Sequence, residues 1–188
     1  MRIILASKSP RRQELLSRIG IEYECIVSEK EEVTNKTLPS EVVCDLSADK
    51  AEEVFDMLDN KENCLVIGAD TVVALDNEIM GKPVNREHAE KMLRNLSGRE
   101  HSVWTGVTII NGKTGQRETF AQETKVWMYP INDEELKEYL STDEPYDKAG
   151  SYAIQGIATK FIKYIEGDFN NVVGLPVAAL YQRLKDIK

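Results

Sequence analysis

HSVWTGVTII at 101–110 and RETFAQETKVWMY at 117–129 face each other across the turn sequence NGKTG at 111–115. Apolar and polar residues alternate through both stretches, the period of strands with one face on a core, so the segment predicts a long antiparallel hairpin. A hairpin of that length argues against a purely parallel, doubly wound sheet. Helical and strand patterns interleave in the rest of the chain. The expected fold is therefore mixed α/β (α+β), a strongly curved mixed sheet with flanking helices around a deep substrate cleft.

Upstream of the hairpin, CLVIGADTVVAL at 64–75 is the most apolar run of the chain and predicts a buried strand, interrupted by Gly68 and Asp70. Asp76, Asn77 and Glu78 read as a turn, and IMGKP brings the chain back through Gly81, Lys82 and Pro83. Asn85 is the expected cap of a helix that turns Ala89, Met92, Leu93 and Leu96 inward and stops at Gly98. Nearer the start, IILA at 3–6 predicts a strand. A helix follows, with Ser9 as cap, Pro10 in its first position, Leu15, Leu16 and Ile19 inward and Gly20 as stop. IEYECIVS at 21–28 reads as a second strand before an acidic loop containing Glu29, Glu31 and Glu32. From Pro39 a long helix is expected to bury Val43, Leu46, Val54, Phe55 and Leu58. Lys50 falls inside that apolar stripe, where a lysine is out of place.

Downstream, a helix is expected over 132–141, then the loop DEPYDKAGSY, strand-like YAIQG and KFIKYIEG, a turn at GDFNN, and a closing helix from Pro176 with Val177, Leu180, Leu184 and Ile187 inward.

With 188 residues the chain can build one sizeable core, and residues 1–188 are expected to form a single domain, at most two lobes sharing one cleft. Its hydrophobic (41%) and charged (30%) residues are interspersed, as in ordinary soluble proteins. The net charge of −8 argues against a surface that wraps a nucleic acid polymer, so an anionic ligand must meet a local cationic pocket. No apolar run approaches the ~18 residues of a membrane span. The first residues become charged too early for a signal peptide, and a reduced, cytoplasmic setting is expected. Cys25, Cys44 and Cys64 lack a CxxC spacing and read as small buried hydrophobes. His88 and His101 have no zinc-ligand neighbours, which leaves a hard metal held by carboxylates.

Four places concentrate chemistry. Ser7-Lys8-Ser9-Pro10-Arg11-Arg12 puts hydroxyls, free N–H groups and two guanidiniums at a strand-to-helix junction, either an anion site or a capped helix with solvated arginines. Asp70 lies inside an apolar run. Such a carboxylate must be paired, protonated or metal-bound, and Glu31 or Glu32 can complete a hard-metal site with it, whereas capping a strand kink needs neither. Lys50 and Lys82 are the complementary cations. Each has an ordinary alternative, a stem lying along a helix flank or a turn lysine before proline, but with Arg12 they balance a metal-bound triphosphate. Gln155 in YAIQG and Lys148 in DEPYDKAG can face a ligand or solvent.

Taken together, SKSPRRQELL, GADTVV, GKP, DEPYDKAGSYAIQG and VVGLP resemble the Maf family of nucleotide pyrophosphatases, in the family's order and over essentially the whole chain. The resemblance implies a Maf/ITPase-like fold and hydrolysis of a nucleoside triphosphate between its α and β phosphates, assisted by a divalent cation, Mg²⁺ with Mn²⁺ as alternative. The oligomeric state is left open by the sequence, with a homodimer as one assembly. Arg11 after Pro10, Thr71 after Asp70 and Ile154-Gln155-Gly156 match the members that act on dTTP and UTP. Carried over, Asp70 is the general base, and Arg11, Thr71 and Gln155 bear on base selection. Ser7, Arg12, Lys50 and Lys82 line the phosphate path, and Glu32 attends the metal with Asp70. A nucleotide sensor linked to septum formation is the rival reading, but it has no need of a carboxylate among the phosphate-binding cations.

Overall fold

In the computed structural model, which describes residues 1–29 and 31–187, the long apolar run forms β3 (Cys64–Leu75). It pairs antiparallel with β5 (Glu100–Asn111), from Leu65 opposite Asn111 to Ala74 opposite Ser102. β5 continues into the expected hairpin with β6 (Arg117–Met128), and β7 (Ile162–Glu166) runs antiparallel along β6.

The other edge of β3 is shared. β1 (Arg2–Ala6) lies parallel to its first half, Arg2 opposite Cys64 through Ala6 opposite Gly68. β4 (Glu78–Met80) pairs antiparallel with its end, Val73 opposite Met80 through Leu75 opposite Glu78. Among the described residues, the stretch from Ala69 to Val72 has no strand on that edge. β2 (Glu24–Cys25) completes the order β2-β1-β3-β5-β6-β7, a mixed sheet as expected.

Alternation along β3 assigns its two faces. Cys64 and Val66 pack with Ile4, Ala6, Ala51 and Val54, and Val72 with Val42, Val43 and Leu46, so this face carries α2 (Pro39–Asp56). Leu65, Ile67, Ala69 and Val73 join the larger core on the opposite face, with residues of α1 (Pro10–Arg18), α3 (Arg86–Leu96), α4 (Asp133–Tyr139), α5 (Phe169–Val173) and α6 (Val177–Asp186). α2 lies directly on the sheet. A Cβ built at Gly68 would meet the Ser47 carbonyl oxygen at 2.2 Å, and one at Gly106 would meet that of Val43 at 2.2 Å. No helix among the described residues is long and apolar enough to cross a membrane.

Several local expectations change. The strand expected over 21–28 is only Glu24–Cys25, because the rest of that segment finds no ladder. YAIQG is not a strand: it links the short 3₁₀ turns at Ala149–Ser151 and Ile157–Phe161. GDFNN forms the start of α5 instead of a plain turn, since the Asp168 carboxylate accepts from the Asn170 N–H at 2.8 Å and caps it. Ser9 precedes α1 but makes no side-chain cap, and Pro10 supplies the start. Glu78, read as turn, already belongs to β4. The turn itself is Asp76-Asn77, with φ of 53° and 66°, the left-handed pair that suits a two-residue hairpin. Cys64 is buried, whereas Cys44 is half-buried and Cys25 exposed.

Candidate active site

Asp70 points to the α2 face of β3, two residues beyond Gly68. The close seat of α2 on Gly68 and Gly106 brings Lys50 over it, one turn on from Ser47. Lys50 Nζ lies 2.6 Å from Asp70 Oδ1 and 2.7 Å from Glu32 Oε1. The lysine out of place on its helix and the carboxylate out of place in its strand are thus each other's partners. Of the two glutamates left open by the sequence, Glu32 is the one in this cluster.

Asp70 is 6% exposed, and burial raises its pKa above the ordinary aspartate value, with Glu32 adding to the rise and Lys50 and Arg12 opposing it. Glu32 moves the other way. The hydrogen bond from Lys50 is the largest cause, and the charges of Lys50, Lys82 and Arg12 act in the same direction. Lys82 therefore belongs to the electrostatic surroundings of this cluster.

On the opposite face, Arg12 fills the strandless edge of β3. Its Nη1 donates to the Ala69 carbonyl at 2.9 Å and to Ser7 Oγ at 3.4 Å, its Nη2 to Thr71 Oγ1 at 3.0 Å, and its Nε to the Gly174 carbonyl at 2.8 Å. Four protein acceptors hold this guanidinium, so it ties the end of β1, the middle of β3 and the VVGLP segment together. Burial pulls its pKa down and Asp70 opposes this, but a guanidinium stays charged. Thr71 also meets Thr105 Oγ1 at 3.0 Å.

The remaining segments converge from the side of β4. The Gly150 N–H donates to the Gly81 carbonyl at 3.2 Å, which joins the KAG turn to the GKP turn. Gly150 has φ 67° and packs on Val73, where a Cβ would come within 3.0 Å. Lys148 pairs with Asp147, and the Arg11 charge reaches Asp147. Gln155 is exposed on the turn before Ile157–Phe161 and does not enter the Asp70–Lys50 cluster. Ser7, Arg12, Glu32, Lys50, Asp70, Thr71 and Lys82 are thus brought to one region, whereas Arg11 lies near Asp147 of the DEPYDKAG segment and Gln155 stays exposed on its own turn. A hollow of about 180 Å³ lined by Met80, Gly81, His88, Lys91 and Met92 lies beside the GKP turn and excludes Asp70.

Sequence reading missed the Glu144 carboxylate, which lies beneath the turn that carries Gln155, accepting from the Ile157 and Ala158 N–H groups at 2.7 and 3.1 Å. Its only sequence signal was an acid before Pro145 in an otherwise loop-like stretch.

The family profile described as Maf-like protein matches residues 2–187. The chain belongs to the Maf family. Curated Maf relatives named dTTP/UTP pyrophosphatase include one from Thermoanaerobacter sp. (strain X514), 49% identical over 98% of this chain and 96% of its own. Another, from Carboxydothermus hydrogenoformans, is 49% identical over 99% of this chain and 98% of its own. Among solved structures, the Staphylococcus aureus Ham1 protein superposes with a TM-score of 0.58 over all of both chains at 14% identity. A HAM1 protein from Coxiella burnetii does so with a TM-score of 0.54 over all of this chain and 98% of its own, also at 14% identity. At that identity the likeness concerns the Maf chain's fold alone, and it agrees with the mixed sheet and flanking helices described above.

Proposed function

We propose that this Maf protein hydrolyses dTTP and UTP to the monophosphate and pyrophosphate, with Asp70 as the general base. The near-full-length relatives named dTTP/UTP pyrophosphatase support the reaction. The observation that supports the site is the buried Asp70 carboxylate, bound by one ammonium and surrounded by cations that suit a triphosphate.

Water adds to the α-phosphorus and gives a proton to Asp70 as the bond to the α–β bridging oxygen breaks. Pyrophosphate then leaves with the bond's electrons on that oxygen. Burial makes Asp70 a stronger base than an ordinary aspartate, which helps it take the proton. Lys50 offsets phosphate charge in a poorly hydrated setting where such contacts are strong, and Lys82 adds an exposed cation from the GKP turn. Arg12 holds Ser7 and Thr71 at the strandless edge, and the Ser7 hydroxyl, which accepts from the Ser9 N–H at 3.2 Å, stands at the entry to α1.

Asp70 and Glu32 offer only oxygen donors and already share one cation, the Lys50 ammonium, so the pair fits a hard divalent ion whose other ligands are phosphate oxygens and water. Such an ion, Mg²⁺ or Mn²⁺, would supply charge neutralisation on the phosphates and a more acidic water. Among the described residues no cluster of three or more Asp, Glu, His or Cys side chains could hold a metal, in keeping with a site completed by substrate.

Selectivity for thymine and uracil is assigned to Gln155, Arg11 and Thr71. A primary amide can pair with one base carbonyl and the N3–H together. Because Thr71 Oγ1 is engaged by Arg12 and Thr105, its part is to hold the site's wall. The test is pyrophosphate release by purified protein with Mg²⁺ across dTTP, UTP, CTP and GTP. Turnover of dTTP and UTP well above the other two is expected, and no release from either would refute the assignment.

A further inference from the structure

The Glu144 carboxylate is placed like a peg under one turn. Its Oε2 accepts from the Ile157 N–H at 2.7 Å, and its Oε1 accepts from the Ala158 N–H at 3.1 Å and from the Tyr139 hydroxyl at 2.9 Å. These two N–H groups open the 3₁₀ turn Ile157–Phe161, where no preceding carbonyl can satisfy them. Gly156 passes so close that a Cβ there would stand 2.0 Å from Glu144 Oε2. A side chain at 156 would push the carboxylate out of this position, so glycine keeps the peg in place.

Two further bonds close the same turn from the other side. The Gly156 N–H donates to the Ala153 carbonyl at 3.1 Å, and Thr159 Oγ1 to the Ile154 carbonyl at 2.5 Å. Gln155 is the exposed residue at the apex, with its neighbours on both sides fixed. Tyr139, fully buried in the main core and edge-on to Phe161, anchors the peg. Burial, then the bond to Glu144, raises the Tyr139 pKa, which keeps its hydroxyl protonated as a donor.

We infer that Glu144 is a positioning residue for base selection: through Ile157, Ala158 and Gly156 it sets the backbone from which Gln155 reaches the base. The inference rests on the assignment of Gln155 to the base. Holding a turn in its productive geometry before the ligand arrives favours the ligand that matches that geometry, and its loss falls on discrimination more than on the reacting phosphate. A carboxylate is needed because both oxygens accept. An amide would present its NH₂ to one of the N–H groups, donor against donor.

The experiment compares kcat and KM for dTTP, UTP, CTP and GTP in wild type, Glu144→Gln, Tyr139→Phe and Gln155→Ala. Glu144→Gln is expected to cut the kcat/KM preference for dTTP over CTP by about tenfold, mostly by raising KM for dTTP, while kcat on dTTP changes by less than about threefold. Gln155→Ala should collapse the same preference. Tyr139→Phe removes one donor and keeps the ring, so it should give a smaller loss in the same direction and reads the inference even where Glu144→Gln does not fold. If Gln155→Ala collapses the preference while Glu144→Gln or Tyr139→Phe lowers only melting temperature, Glu144 is merely structural and the inference is overturned. An unchanged preference in Gln155→Ala overturns it as well, by removing the residue through which it acts. Wild-type protein that released no pyrophosphate from any of the four would instead refute the proposed reaction.

Discussion

Lys50 Nζ stands 2.6 Å from Asp70 Oδ1, a contact between the middle of a helix and the middle of a buried strand. Neither group is well hydrated, so each depends on the other. Replacing Lys50 by Met should strand the Asp70 carboxylate and lower unfolding free energy by about 3 kcal/mol at pH 8. The loss should shrink in acid, where Asp70 takes up a proton. Urea denaturation at both pH values measures it, and equal losses at the two would place the Lys50 effect in packing.

Gly68 makes that contact reachable. A methyl group there would meet the Ser47 carbonyl at 2.2 Å and the Ala51 nitrogen at 2.8 Å, both backbone atoms of α2. Gly68→Ala should therefore lift the helix from the sheet, cost about 2 kcal/mol, and lower kcat by withdrawing Lys50 from Asp70. Wild-type stability together with wild-type kcat would show that α2 does not need its close seat.

Two buried groups give stability opposite slopes in mild acid. His101 is 2% exposed, bonds Tyr152 through Nε2 at 2.7 Å, and is pushed by burial from 6.5 down to about 4. Between those values the unfolded chain binds the proton and the folded chain does not, so stability falls as pH drops from 6.5 to 4, by about 3 kcal/mol. Asp70 works the other way. Its raised folded pKa means that the folded state binds the proton more tightly than an ordinary aspartate, so its contribution to stability improves as pH falls through the raised value toward about 3.9. Denaturation of His101→Gln across pH 4–7 should lose the His101 slope and expose the opposite one. A slope unchanged from wild type would mean that His101 does not titrate as burial requires.

Much of this arrangement was legible in the sequence where period and composition agree. The twelve residues of β3, the hairpin and the Asn85 cap all follow from local rules, and Lys50 and Asp70 each stood out as a charge among apolar neighbours. What paired them was not local. It depends on a glycine contact between α2 and β3 that no single segment encodes. YAIQG misled for the converse reason: its apolar spacing suits a strand, but the Gly156 N–H turns back to the Ala153 carbonyl and Glu144 takes the Ile157 and Ala158 N–H groups just beyond it, so the segment turns instead. Arg12 was read as a phosphate ligand from its position at a helix start, while its four protein acceptors come from residues 7, 69, 71 and 174.

The central claim is that Asp70 takes the proton from the attacking water. Single-turnover hydrolysis of dTTP by Asp70→Asn, followed by pyrophosphate release under saturating Mg²⁺, tests it most directly. The side chain keeps its shape and can still meet Lys50, so the fold and much of the nucleotide affinity should survive. The rate should fall by about 10²–10⁴-fold, the usual worth of a general base. A folded Asp70→Asn protein that turns over dTTP at the wild-type rate would contradict the mechanism.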